Sequence, residues 1–159
     1  MTRPPILRTI VMRTIAGIAL LIPASADAQS TCSSGGNYRV RLNPAVIDYG
    51  IVSSIDLDAG QIVMGRMRVR VRPRRNDDPD WALCLAASAA VFGASGKAIE
   101  DVEWQLAGST VWQPVSTAGQ LVSSGTGTQR VDVFFRMIVG WEDAPGEYSA
   151  PLAFIASGQ

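Results

Sequence analysis

The chain has two cysteines, Cys32 and Cys84, and no histidine. That combination narrows the available chemistry. A zinc site draws on Cys, His and carboxylate ligands, and two thiols without an imidazole make a poor set. A nucleophilic cysteine wants a nearby base, most often histidine. A Ser-His-Asp arrangement is excluded outright. A disulfide is the remaining use of an even pair, provided that the chain reaches an oxidising compartment.

The carboxylates offer little more. Asp77, Asp78 and Asp80 crowd one loop. Calcium takes such oxygens, but the spacing and distal glutamate of an EF-hand are missing, and Asp, Asn and Pro are what a solvated turn needs. Glu100, Asp101 and Glu103, and later Glu142 and Asp143, are neighbours in sequence. Glycoside cleavage needs two carboxylates facing each other across a substrate, which adjacency does not provide. Gly125-Thr126-Gly127 has no lysine or helix after it, so a phosphate loop is not supported. The chain is read as a non-enzyme that calls for no cofactor or metal.

Two features could bind rather than react. Residues 65–75 read GRMRVRVRPRR, with six arginines in eleven positions. On a strand, Arg66, Arg68, Arg70 and Arg72 share one face. The first reading is a solvated face that discourages sheet-to-sheet association, partly neutralised by Asp77, Asp78 and Asp80. The alternative is a patch for anionic glycans or lipopolysaccharide. Nucleic acid is not expected, because no aromatic residue interleaves with these arginines. Of the four tryptophans, most are expected in the core. Trp112 and Trp141 are the candidates for touching a ligand.

The elements that must position these groups begin after a leader. Arg3, Arg8 and Arg13 form a basic start, Ile15 to Ile22 an apolar run, and Ala26-Asp27-Ala28 a small-x-small site. This is the pattern of a cleaved secretory signal peptide over 1–28. The run is about half of the roughly 20 apolar residues that a spanning helix needs, and Gln29-Ser30-Thr31 before Cys32 is not a lipoprotein box. No membrane anchor is expected after cleavage. The expected location is the periplasm, cell surface or exterior, where Cys32 and Cys84 would be oxidised.

Removing Arg3, Arg8, Arg13 and Asp27 from 14 basic and 14 acidic residues leaves 11 and 13, a net charge of −2. Nucleic-acid binders usually show a basic excess. Residues 29–159 are one domain's worth of chain.

That domain reads as strands. Residues 38–42 alternate apolar and charged, 45–50 form a short extended piece after Pro44, and 61–72 alternate most clearly. There, Val63, Met67, Val69 and Val71 are expected on the face opposite the arginines. Residues 81–87 are apolar on both faces, as in a central strand. Residues 102–106 alternate, 111–115 carry a proline suited to an edge, and 120–122 are read as continuing that strand. Residues 131–139 put Val131, Val133, Phe135, Met137 and Val139 on one face. Residues 147–155 put Tyr148, Ala150, Leu152 and Phe154 on one face. Gly, Ser, Asp and Pro clusters at 33–36, 123–127 and 143–146 separate the runs. No amphipathic helix of useful length appears. Seven or eight short strands spaced this way predict an all-β, immunoglobulin-like β-sandwich.

The order of motifs resembles a known family. A leading cysteine is followed by Ile47-Asp48-Tyr49-Gly50, Gly60-Gln61-Ile62-Val63, and Trp81-x-Leu83 on the strand with the second cysteine. Gly125-Thr126-Gly127 and Pro145-Gly146-Glu147-Tyr148 precede the last strand. Across most of residues 29–159 this is similar to the spore coat protein U family, which includes subunits of archaic chaperone–usher pili. The resemblance implies an immunoglobulin-like sandwich with a disulfide, joined to protein partners at the cell envelope by donor-strand exchange. One departure stands out. A polymerising subunit needs an alternating apolar arm before its first cysteine, and only the polar Gln29-Ser30-Thr31 remains here, which leaves either a subunit at an end of an assembly or a free-standing surface module. The expected function is a structural or adhesive envelope module, pilus- or surface-layer-associated. The alternative is a module that binds carbohydrate or anionic glycans.

Overall fold

The computed structural model describes Cys32 and residues 38–74, 80–93, 96–143 and 147–158. The leader, Asp77, Asp78 and Pro145-Gly146 lie outside the described residues. The strands are β1 (Tyr38–Asn43), β2 (Asp48–Ile51), β3 (Gln61–Pro73), β4 (Asp80–Ala87), β5 (Val91–Phe92), β6 (Lys97–Ala98), β7 (Val102–Leu106), β8 (Gln113–Pro114), β9 (Gln120–Thr126), β10 (Gln129–Ile138), β11 (Glu147–Ser149) and β12 (Leu152–Gly158). One short helix, α1 (Ser54–Ala59), and a 3-10 turn, Ile99–Asp101, complete the described elements.

The fold is mostly β, with antiparallel sheets. A five-stranded sheet runs β1-β3-β10-β7-β8, and a three-stranded sheet runs β12-β4-β9. Two small ladders, β11-β2 and β5-β6, accompany them. The alternation of β10 explains its central place. Val133, Phe135 and Met137 are fully buried, with Val131 nearly so, while Arg130, Asp132 and Arg136 point the other way. Burial of each such apolar side chain contributes roughly 1.5–3 kcal/mol.

The core lies between the two larger sheets. Met67, Val69 and Val71 of β3, Trp104 of β7 and the inward residues of β10 share it with Trp81, Leu83 and Leu85 of β4. Phe135 of β10 meets Phe154 of β12 edge-on, with ring centroids 6.4 Å apart. β4 is buried on both faces from Trp81 to Leu85, as its unbroken apolar run predicts.

Four readings of the sequence need correction. Val63 is exposed, because the β3–β10 register shifts between Phe134 and Arg136 and sets Val63 opposite Arg136. A bulge of this kind flips the face of the residues before it, and local alternation does not reveal it. Residues 120–122 do not continue the edge strand at 113–114. They open β9, which pairs with β4 in the other sheet, and β9 runs on through the Ser- and Gly-rich stretch to Thr126. Residues 147–155 form two strands in different ladders, β11 on β2 and β12 on β4, divided around Pro151. The twelve strand segments among the described residues also exceed the seven or eight expected, because β9 stands apart from β8, residues 147–155 form two strands, and the two-residue pieces β5 and β6 carry too little pattern to read.

The short helix has a local cause that the sequence does show. The Ser53 side chain accepts from the Asp56 backbone, Asp56 accepts from the Ser53 backbone N–H, and Gly60 closes the helix at φ 70°. This is a capping box with a left-handed glycine stop.

The motif Gly125-Thr126-Gly127 also gains a structural role. Trp81 is fully buried and its Nε1 donates to the Gly127 carbonyl at 2.9 Å. A Cβ on Gly125 would come within 2.8 Å of the same indole ring. The two glycines therefore seat Trp81 under the end of β9.

Candidate functional site

The cysteines are joined. Cys32 and Cys84 form a disulfide with Cα atoms 5.7 Å apart. Cys84 is buried on the face of β4 opposite Leu83 and Leu85, so the bridge fastens Cys32 to the outside of the three-stranded sheet. Gly119 lies directly against it, and a Cβ there would stand 2.7 Å from the Cys32 Cβ.

The arginine row lies on the outer face of the five-stranded sheet, and register enlarges it. Arg39 of β1 is opposite Arg72, Arg41 is opposite Arg70, and Arg130 of β10 faces Arg70 from the other side. The alternation of residues 38–42 already put Arg39 and Arg41 on one face. Only the pairing of β1 with β3 shows that it is the same face.

This surface has two electrostatic halves. Arg68 Nε donates to Asp132 at 2.9 Å, and Arg66 approaches the same carboxylate at 3.5 Å. The hydrogen bond from Arg68 comes first in holding the Asp132 carboxyl below the usual carboxylate range, and that bond raises Arg68 in turn. Arg136 pairs with Glu103, donates to Gln61 at 3.0 Å, and stacks over the Trp112 ring at 4.5 Å from its centroid. Asp132 and Glu103 therefore supply the neutralising charge. Of the acids expected to do so, Asp77 and Asp78 fall outside the described residues. Asp80 has no ion pair among them, and its carbonyl accepts from the Tyr38 hydroxyl.

In the other half, Arg39, Arg41, Arg70 and Arg72 form no ion pair among the described residues, and Arg130 forms none either, although its charge reaches Asp132. The Arg70 Nε is buried without a hydrogen-bond acceptor.

The tryptophans divide as well. Trp81 and Trp104 are core residues. Trp112 is half-buried on the neutralised half of the arginine face, engaged by Arg136. Trp141 is 67% exposed in the turn after β10. No described contact joins Trp141 to Trp112 or to the arginines.

A second candidate is an apolar cleft of about 230 Å³ beside the edge strands β1 and β12. Leu42, Val46, Ile47, Met67, Leu152 and Phe154 are among its lining residues. β1 and β12 are each at the end of their sheets, with one strand partner apiece among the described residues, and they run close to each other. Val46 is 67% exposed.

One cluster gave no sequence signal. Lys97 is buried and pairs with Asp143 at 2.8 Å and Asp101 at 3.0 Å. Asp143 also accepts from the Gly140 backbone at 2.8 Å. Burial alone would lower the Lys97 ammonium, but the hydrogen bonds it donates to Asp143 and Asp101 outweigh it and raise the group. Burial pushes Asp143 upward too, and the bonds from Lys97 and Gly140 prevail and lower it. Both groups are thereby held charged, so the cluster is a structural clamp between the 96–101 segment and the turn after β10.

Among the described residues, no group of three or more His, Cys, Asp or Glu is placed to hold a metal ion. No described helix is long and apolar enough to cross a membrane. No protein-family model, curated protein or solved structure matches the chain.

Proposed function

We propose that this chain is an exported structural module of the bacterial envelope. In this reading it is an immunoglobulin-like sandwich left open along one side and completed by an extended strand from a neighbouring subunit. The observation that carries it is the cleft beside β1 and β12. β1 and β12 end their sheets and run close to each other, each with a single strand partner among the described residues, and apolar side chains line the cleft beside them. An incoming strand with alternating apolar residues would satisfy both at once, its backbone pairing with an edge and every second side chain entering the cleft. An open apolar edge left bare is an aggregation hazard, so an occupant also removes a liability.

Two further features support the reading. The leader pattern with cleavage after Ala28 sends the chain out of the cytoplasm, and the Cys32–Cys84 bridge suits that destination. After such cleavage, only Gln29-Ser30-Thr31 precede Cys32. In this reading the chain accepts a strand without an apolar arm ahead of Cys32 to offer in return, which suits a subunit at an end of an assembly.

The test is self-completion. A short strand of alternating valine and threonine is joined after Gln159 through a flexible Gly/Ser linker, and a scrambled strand of equal composition serves as control. Filling the cleft should raise Tm by roughly 4 °C for each kcal/mol gained and abolish binding of a hydrophobic dye. Equal Tm values and equal dye binding in the two fusions would overturn the strand-accepting reading.

A further inference from the structure

The unpartnered half of the arginine face is arranged in a way that a merely wet surface does not require. Arg39 and Arg72 are directly opposite, as are Arg41 and Arg70, and Arg130 and Arg70. Like charges in directly opposed positions destabilise a sheet, and a soluble surface ordinarily intersperses both signs. The same sheet does so a few residues away, where Asp132 sits between Arg66 and Arg68.

The geometry is also receptive. A narrow pocket opens between Arg39, Arg41, Arg70 and Arg72. A wider hollow of about 320 Å³ is lined by Arg41, Leu42, Asn43, Arg68, Arg70 and Arg130. Arg70 Nε is a buried donor with no acceptor among the described residues, and a buried donor left without a partner is unfavourable.

We infer that Arg39, Arg41, Arg70, Arg72 and Arg130 form a binding site for an anionic polysaccharide that carries carboxylate or sulfate groups at short intervals. Guanidinium groups match such groups with paired N–H donors. On a sheet they stand about 5 Å apart across strands and about 7 Å apart along one strand. A polymer with repeated charges engages several of them together, whereas a single small anion reaches one or two. Single-stranded nucleic acid is the weaker fit, because its binders stack bases on aromatic side chains. The aromatic groups of this face, Trp112 and Phe134, are on its neutralised half beside Arg136 and Arg66. The hollow and the cleft at β1 and β12 meet at Leu42, but none of the five arginines lines the cleft, so the arginine variants test this site apart from the strand-accepting reading.

The probes are heparin, polygalacturonate and a single-stranded DNA of matched charge, measured by titration against the oxidised protein at low and high salt. Both glycans should bind more tightly than the DNA and weaken with salt, since exposed charges are screened over about 10 Å at 0.1 M. The triple variant Arg39→Gln, Arg41→Gln, Arg72→Gln should lose at least about tenfold in affinity, or about 1.4 kcal/mol. Arg66→Gln, which removes an arginine already paired with Asp132, should change it less than about twofold. The triple variant should melt no lower than the parent, which separates lost binding from lost folding. Absence of glycan binding by the parent, or unchanged binding by the triple variant, would overturn the site. DNA bound as tightly as the glycans would overturn the polysaccharide assignment.

Discussion

Arg41 on β1 stands directly opposite Arg70 on β3, with no carboxylate beside either among the described residues. Two like charges opposed across strands cost roughly 0.2–1 kcal/mol. Arg41→Gln should therefore stabilise the protein by about 0.5 kcal/mol at low salt. The gain should shrink toward zero at about 1 M salt, where charges are screened over about 3 Å. Urea unfolding at both salt levels checks this. A loss of stability at low salt would show that the pair is held together by something other than the sheet.

Reduction of the Cys32–Cys84 bridge should destabilise the domain markedly. The cysteines are 52 residues apart in sequence, and the chain-entropy estimate for a loop of that size is about 4 kcal/mol. That is a large share of the roughly 5–15 kcal/mol by which domains are stable. Alkylation of unreduced, denatured protein should find no free thiol, and thermal melts with and without reductant should differ widely. Coincident melts would contradict the estimate.

The Lys97 clamp predicts a pH profile with two limbs. The folded Asp143 carboxyl lies below its ordinary value, so its contribution is present above about pH 4 and is lost as pH falls through the folded value. Asp132, also lowered, acts in the same direction. Lys97 lies above its ordinary value, so its contribution is complete below about pH 10 and is lost as pH rises further. Burial raises the Tyr49 phenol, whose neutral form the fold requires, and this adds to the alkaline limb. Lys97→Met should cost about 3 kcal/mol at neutral pH, since it strands the buried carboxylate of Asp143. It should also weaken the acid limb, leaving the shares due to Asp132, to Asp56 and to the Gly140 bond on Asp143. Stability curves across pH for parent and variant test both statements.

Gly125→Ala should be costly for a residue on a strand that is not deeply buried. Its Cβ would meet Trp81 at 2.8 Å, and the fully buried indole has no room to retreat. Overpacking of this kind costs roughly 1–3 kcal/mol. Tryptophan fluorescence should report a displaced Trp81 along with the lower midpoint. An unchanged midpoint would mean that β9 can shift away from β4.

Much of the architecture was legible because burial imposes alternation. β3, β4, β7 and β10 stand where their patterns put them, and the proline of β8 marks a true edge. The rest depends on relations between strands. The bulge that exposes Val63, and the transfer of β9 to the other sheet, are settings of register and partner that no single segment encodes. The same limit hid the full arginine face. Arg66 to Arg72 were visible as a row, but Arg39, Arg41 and Arg130 join them only through cross-strand pairing. Lys97 gave no signal because its partners Asp101 and Asp143 come together through a hairpin and a turn too short to leave a pattern.

Lys97 is also the only lysine in the chain, because the other 13 basic residues are arginine. Its ammonium is buried and held by two carboxylates. In the native state an amine-directed dye or crosslinker thus finds this lysine shielded. Its modification becomes a direct counter of unfolding, read at a single residue without engineering.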